Sequence, residues 1–221
     1  MESARKPLTE FVGTLLLVVL IALSVQHAGQ MAPLAIGLGL TGLIYMGRWL
    51  SGAQYNPVVT LAVLIGGKMS VADFLPYLLA QLAGALCGSA LGFVMTGKVL
   101  APAPAAGLGA ALLVEVVMTF MMVLVILNVA TAKRTEGNQF YGAAIGLTVT
   151  AAIYAGGNLS GSVMNPAVAI GPIVMDALVG EARSFSTGWL YILGPVVGAL
   201  LAAGVFRVQA GGTEGGGGTG R

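Results

Sequence analysis

The sequence contains very little charge. Charged residues make up 8% of the 221 residues, whereas apolar residues make up 57%. A soluble domain carries roughly a quarter charged residues to cover its surface. The composition therefore excludes a water-soluble enzyme, and it equally excludes a disordered or fibrous chain. The formal net charge of +2 is too small to build a basic field for nucleic acid, so we expect an integral membrane protein without a nucleic-acid partner.

Cysteine and histidine are almost absent. The chain has one cysteine, Cys87, and one histidine, His27. A single cysteine excludes a disulfide framework and a cysteine-ligated metal site. The apolar segments also contain neither paired metal ligands nor a nucleophile beside a base. We therefore predict no metal, no cofactor and no catalytic residue.

Long apolar runs, in contrast, are plentiful. A bilayer core of about 30 Å needs about 20 mostly apolar residues per helix. Six such runs predict an all-α membrane protein with six transmembrane helices. If the N-terminus is cytoplasmic, eight of the ten Lys and Arg residues lie on the cytoplasmic side, which predicts that both termini are cytoplasmic. The predicted spans are residues 8–26, 33–48, 74–97, 109–129, 140–157 and 188–206.

Two further apolar segments, residues 56–65 and 165–174, are too short to cross a bilayer. Each begins with Asn-Pro, as Asn56-Pro57 and Asn165-Pro166. Asparagine is a good helix N-cap, and proline fits the first turn of a helix because it needs no hydrogen-bond acceptor there. Such segments predict re-entrant half-helices, whose irregular lead-in backbone must be buried in protein or line a watery cavity.

The chain contains an internal repeat. EFVGT around Glu10 matches EVVMT at Glu115, 105 residues further on, and SGAQYNPVVT matches SGSVMNPAVA, 109 residues further on. Each half holds three spans, so the second half must insert upside down and bring the two half-helices together near the bilayer centre. We predict a first inverted repeat over residues 1–100, a second over residues 101–208, and a flexible Gly-rich tail over residues 209–221, within one channel domain.

These strings resemble the major intrinsic protein family, the aquaporins and glycerol facilitators. The paired signatures of that family stand here as Asn56-Pro57-Val58 and Asn165-Pro166-Ala167. The resemblance implies an aquaporin-like bundle with one pore per subunit, assembled as a homotetramer. It implies a passive channel for water and small neutral solutes, which we expect in the plasma (cell inner) membrane. The two asparagines are then expected to donate hydrogen bonds to molecules at the pore midplane.

The outer constriction departs from the family pattern. The family normally places an Arg directly after the second signature, where this chain has Val168. We predict a wide, apolar filter that admits glycerol, urea, ammonia or undissociated metalloid hydroxides. Two signs favour water instead, since Val58 is larger than alanine and Ala169 stands where glycerol-type members usually carry Asp. The predicted filter consists of Ile36, Ile153, Ser162 and Val168.

Two carboxylates, Glu10 and Glu115, lie within predicted spans, where ionisable groups are expensive and usually functional. In the family that this chain resembles, the equivalent carboxylates accept hydrogen bonds from the backbone of the re-entrant loops, so we interpret both as scaffolding. The alternative is an ion-coupled secondary transporter, a class that also uses inverted repeats and needs coupling carboxylates.

Overall fold

The computed structural model describes residues 2–100 and 102–214, and the regular structure in these two ranges is entirely helical. Six helices are long and apolar enough to cross a membrane. The predicted all-α membrane fold is therefore confirmed. A π-helical turn, Leu127–Thr131, continues the fifth helix. The helices are α1 Glu2–His27, α2 Ala32–Gly47, α3 Pro57–Ile65, α4 Val71–Thr96, α5 Leu108–Ile126, α6 Tyr141–Ser160, α7 Pro166–Val179 and α8 Leu190–Glu214.

Close packing joins α1 to α4 and α5 to α8. A Cβ atom at Gly84 of α4 would overlap the carbonyl oxygen of Phe11 in α1. A Cβ atom at Gly198 of α8 would likewise overlap the carbonyl oxygen of Val116 in α5. Glycine lets the helix backbones approach this closely, as is typical of helix pairs in membranes.

The two short helices are held between the long ones. Both α3 and α7 pack against α4 and α8, and they also contact each other. The prediction of two helices that start abruptly at Asn-Pro matches these elements at their N-terminal ends. This placement brings two irregular loops, residues 51–55 and 161–164, into the interior of the bundle.

The second short helix is longer than predicted. It continues to Val179 instead of ending at residue 174, and Pro172 lies within it. Its end is set by Asp176, whose carbonyl oxygen accepts from the backbone N–H of Gly180 at 3.0 Å. The carboxylate of Asp176 accepts in addition from the backbone N–H of Glu181 at 3.3 Å. These bonds satisfy groups at the C-terminus that apolar periodicity does not reveal.

The last helix also extends beyond its predicted end. We predicted a flexible tail from residue 209, but α8 continues as helix to Glu214. Extending a helix that already exists avoids the unfavourable nucleation step, so even glycine-containing sequence can follow it for a turn. Residues 215–221 of the predicted tail lie outside the described residues.

Candidate solute pore

A cavity of about 600 Å³ lies between the long helices and the two irregular loops. Both signature asparagines, Asn56 and Asn165, line it. Val58 and Ala167 are fully buried at 1% and 0% exposure and, like Pro57 and Pro166, lie outside the lining. The structure also brings all four predicted filter residues to the cavity: Ile36, Ile153, Ser162 and Val168.

The cavity has two chemically different ends. We call the end lined by Arg48 and Lys68 the inner mouth, and the end lined by Leu100 and Pro102 the outer mouth. The positive side chains therefore lie at the inner mouth. The four predicted filter residues are neutral.

The cavity wall is apolar on one side and polar on the other. Residues 52–54 and 161–163 of the two loops contribute the polar side. In the described part of the chain, no protein N–H or O–H donates to the carbonyl oxygens of these six residues. Such oxygens need a partner that enters the cavity, because buried polar groups are almost always hydrogen-bonded. The apolar side is formed by Leu17, Ile21, Ile36, Leu40, Ile44, Met122, Ile126, Ile145, Val149 and Ile153.

Each asparagine starts its own short helix. The Oδ1 atom of Asn56 accepts from the backbone N–H of Val58 at 3.1 Å. The Oδ1 atom of Asn165 accepts from the backbone N–H of Ala167 at 3.0 Å. Both asparagines have extended backbone, as an N-cap requires. The N-termini of α3 and α7, with their positive dipole ends, are thereby fixed at the cavity.

Each asparagine also binds the loop that precedes the other. The Nδ2 atom of Asn56 donates to the carbonyl oxygen of Met164 at 2.9 Å. The Nδ2 atom of Asn165 donates to the carbonyl oxygen of Tyr55 at 2.9 Å. An amide nitrogen carries two N–H groups, so one donor of each asparagine remains for a molecule in the cavity.

The carboxylate of Glu10 holds the first loop. It accepts from Ser51 Oγ at 2.6 Å, from Gln54 N at 3.0 Å and from Tyr55 N at 2.7 Å. Gln81 Nε2 of α4 donates to the same carboxylate at 2.9 Å. Because all four partners donate, the carboxylate is fully occupied as an acceptor.

The carboxylate of Glu115 holds the second loop in the same way. It accepts from Ser160 Oγ at 2.7 Å, from Val163 N at 2.9 Å and from Met164 N at 2.8 Å. These contacts stabilise left-handed backbone that side chains rarely adopt, with φ of +53° at Met164. Glu115 is completely buried and lies away from the cavity lining.

The hydroxyl of Ser162 lies behind the pore wall. A Cβ atom at Gly156 of α6 would overlap Ser162 Oγ, so the hydroxyl rests against the α6 backbone. This oxygen is buried and has no hydrogen-bond partner in the described part of the protein. Ser162 adopts a φ of +46°, which turns its side chain away from the direction that an extended residue would give it.

The arrangement described so far, two opposed N-capped half-helices beside a cavity, agrees with the comparison to known proteins. A family profile described as MIP, major intrinsic protein, matches residues 1–206. The chain belongs to the major intrinsic protein family. It is therefore a channel of the aquaporin and glycerol facilitator type and not an enzyme.

Relatives within the major intrinsic protein family cover most of the chain. A "Glycerol uptake facilitator protein-like 6" of Lactiplantibacillus plantarum is 39% identical over 217 residues, which are 93% of this chain and 98% of that protein. A "Probable aquaporin AqpM" of Archaeoglobus fulgidus is 37% identical over 186 residues, which are 80% of this chain and 75% of that protein. The fold resembles the X-ray structure of the aquaglyceroporin from Plasmodium falciparum, with a TM-score of 0.80 at 23% identity, covering 92% of this chain and 95% of that one.

Sequence reasoning about this family member missed several residues that hold the loops. Tyr77 donates to the carbonyl oxygen of Ser51 at 2.7 Å, and Tyr191 donates to that of Ser160 at 2.7 Å. Gln81, which binds Glu10, is likewise absent from the predicted site residues. The signal was present, since a polar side chain in the middle of an apolar run needs a buried partner.

Outside the six spans, the carboxylate of Asp176 is held by hydrogen bonds from Ser184. The backbone N–H and the hydroxyl of Ser184 donate to the carboxylate of Asp176 at 2.9 Å and 2.7 Å. These hydrogen bonds lower the pKa of Asp176 below its ordinary value. Among the described residues, no group of three or more His, Cys, Asp or Glu side chains could hold a metal ion.

Proposed function

We propose that this channel conducts water together with small neutral solutes, namely glycerol, urea, ammonia or undissociated metalloid hydroxides. The observation that carries this proposal is the cavity itself, where two amide donors and a strip of free carbonyl oxygens face an apolar wall. A small neutral molecule with both hydrogen-bond donors and acceptors suits this surface.

The two asparagines give the midplane its chemistry. Each uses one N–H for the opposite loop and keeps the other for the cavity. A water molecule that accepts from both points its own hydrogens away along the pore. Neighbouring waters then cannot pass a proton through it, and the dipoles of α3 and α7 add a barrier to cations.

The outer filter selects by size and polarity rather than by charge. Ile36, Ile153 and Val168 present aliphatic surface, and the hydroxyl of Ser162 is turned toward α6. An Arg at position 168 would bring a fixed charge and five donors. Its absence leaves room for solutes larger than water, and their hydroxyl or amide groups bind the carbonyl oxygens of residues 161–163.

We further propose a homotetramer in the plasma (cell inner) membrane, with both termini in the cytoplasm. The distribution of Lys and Arg supports this orientation, because eight of the ten then lie on the cytoplasmic side. The inner mouth then faces the cytoplasm. The long helices expose apolar side chains such as Leu79, Leu113 and Leu201, which suit lipid or neighbouring subunits.

Stopped-flow light scattering on proteoliposomes tests the solute range. Water, glycerol, urea and a neutral metalloid acid are compared, and we expect permeability to all four above that of empty vesicles. Flux should rise linearly with the solute gradient and should ignore proton and sodium gradients. Flux that saturates and follows an ion gradient would instead identify the secondary transporter.

Substitution of Val168 tests the filter. Val168→Arg should lower glycerol permeability by about tenfold or more, whereas water permeability should change much less, because only the larger solute must displace the new side chain. Val168→Leu adds bulk without charge and serves as the matched control. If glycerol uptake is the same in Val168→Arg and wild type, Val168 does not belong to the filter.

A further inference from the structure

Charge along the cavity is confined to the inner mouth. Among the described residues that line the cavity, Arg48 and Lys68 are the charged ones, and no Asp or Glu lines it. The outer filter contributes no charge. The formal charges that an ion meets along the cavity therefore lie at the inner mouth, in addition to the dipoles of α3 and α7 at the midplane.

Arg48 is held rigidly there, whereas Lys68 is exposed to solvent. Arg48 follows the last residue of α2, and its Nη2 atom donates to the carbonyl oxygen of Ala130 at 2.6 Å. Its guanidinium carbon lies 5.5 Å from the ring centroid of Tyr141, in a cation–π contact. The hydrogen bond and the ring contact together keep the charge of Arg48 in one place.

The partner of Arg48 is available because of an irregular helix end. The π-helical turn Leu127–Thr131 closes α5 and contains Ala130. Carbonyl groups in the last turn of a helix lack partners within the helix and carry a partial negative charge, equivalent to roughly half an elementary charge for the whole helix end. This partial charge positions the guanidinium but leaves a net positive charge.

Nothing else in the described structure neutralises Arg48. Its Nε atom is buried without a hydrogen-bond partner, although the residue lines the cavity. Oε1 of Gln54, another cavity residue, is also buried and unpartnered. Ion pairs such as Lys6 with Asp73 and Arg183 with Glu181 do not involve Arg48.

We propose that Arg48 is the cation-excluding, specificity-determining residue of this pore, a fixed positive charge at the inner mouth that compensates for the neutral outer filter. The inference rests on the proposed channel function. A cation that enters the apolar cavity loses hydration and meets a charge that no carboxylate offsets, whereas a neutral solute loses little.

Guanidinium and urea provide the test, because they have nearly the same planar shape and differ in charge. Their fluxes are measured in proteoliposomes at clamped potential, per amount of protein. Arg48→Gln should raise guanidinium flux by about tenfold, while urea flux changes much less. Thr131→Glu places a carboxylate at the same mouth with Arg48 intact and should raise guanidinium flux in the same direction. Arg134→Gln removes an equal, exposed charge that does not line the cavity, and it should leave guanidinium flux unchanged.

The outcomes separate this proposal from the channel function. Unchanged guanidinium flux in both Arg48→Gln and Thr131→Glu overturns the role of Arg48. An equal rise of guanidinium and urea flux in Arg48→Gln also overturns it, because it indicates a wider pore. Urea and water permeability of the wild type, compared with empty vesicles, tests the channel function separately. If the wild type does not conduct urea, the comparison of guanidinium flux between Arg48→Gln and wild type still decides the role of Arg48.

Discussion

Replacing Glu115 by Gln should disrupt the second loop while changing almost no volume. In the wild type, one carboxylate oxygen accepts from both Ser160 Oγ and Val163 N, and the other accepts from Met164 N. If the oxygen of Gln takes the first position, its NH₂ group faces the N–H of Met164, and donor meets donor. That bond is lost and the other two lose their charge-assisted part.

The magnitude follows from these three bonds. A hydrogen bond to a charged group contributes about 1.5–3 kcal/mol, and a neutral one about 0.5–1.5 kcal/mol. One lost bond and two weakened ones amount to about 3.5–6 kcal/mol. Met164, released from its left-handed backbone, would also withdraw the carbonyl oxygen that binds Asn56. We therefore expect water permeability to fall together with stability.

Two measurements check this prediction. Thermal unfolding of the purified protein in detergent reports stability, and stopped-flow scattering on proteoliposomes reports water permeability. Ser160→Ala is the matched control, because it removes one of the three bonds and retains the carboxylate. If Glu115→Gln lowers the unfolding temperature no more than Ser160→Ala and conducts water normally, the carboxylate does not hold the loop.

Two further predictions concern stability. Gly198→Ala would place its Cβ against the Val116 carbonyl oxygen and should destabilise the protein by about 1–3 kcal/mol. Gly204→Ala in the same helix meets nothing within 4 Å and should be neutral or slightly stabilising. Thermal unfolding in detergent compares the two variants, and equal shifts of the unfolding temperature would show that the α5–α8 contact tolerates a side chain. The pKa of Asp176 is lowered from its ordinary 3.8 by the hydrogen bonds from Ser184, so its contribution to stability is present above that value and is lost as the pH falls through the folded-state pKa. The unfolding temperature of wild type should therefore exceed that of Asp176→Asn at pH 7, and this difference should shrink below about pH 4. A difference in unfolding temperature that stays constant down to pH 3 would show that the carboxylate is not preferentially ionised in the folded state.

Much of the fold could be predicted because its signals are local. Apolar runs of the right length predict the six spans, and Asn-Pro before a short apolar segment predicts where α3 and α7 begin. The ends of α7 and α8 could not be predicted in this way. They depend on hydrogen bonds around Asp176 and on continuation of an existing helix, neither of which changes the apolar pattern.

The predicted pore residues come from the spacing around the two signatures, and the structure places Asn56, Asn165 and the four filter residues at one cavity. Side-chain direction could not be predicted. The hydroxyl of Ser162 lies against Gly156 because of the positive φ of Ser162, which no neighbouring residue in the sequence indicates. Arg48 is positioned at the cavity by a hydrogen bond to the carbonyl oxygen of Ala130, which lies more than 80 residues away in the chain.

The exchange of hydrogen bonds between the asparagines and the opposite loops has a consequence for biogenesis. Asn56 binds Met164, and Asn165 binds Tyr55, so each loop depends on residues from the other half of the chain. When the ribosome has delivered only the first three spans to the membrane, the Asn56 amide has no partner of this kind. These paired hydrogen bonds can therefore form only after the polypeptide has been synthesised past residue 165, and a first half expressed alone lacks the partners that complete them.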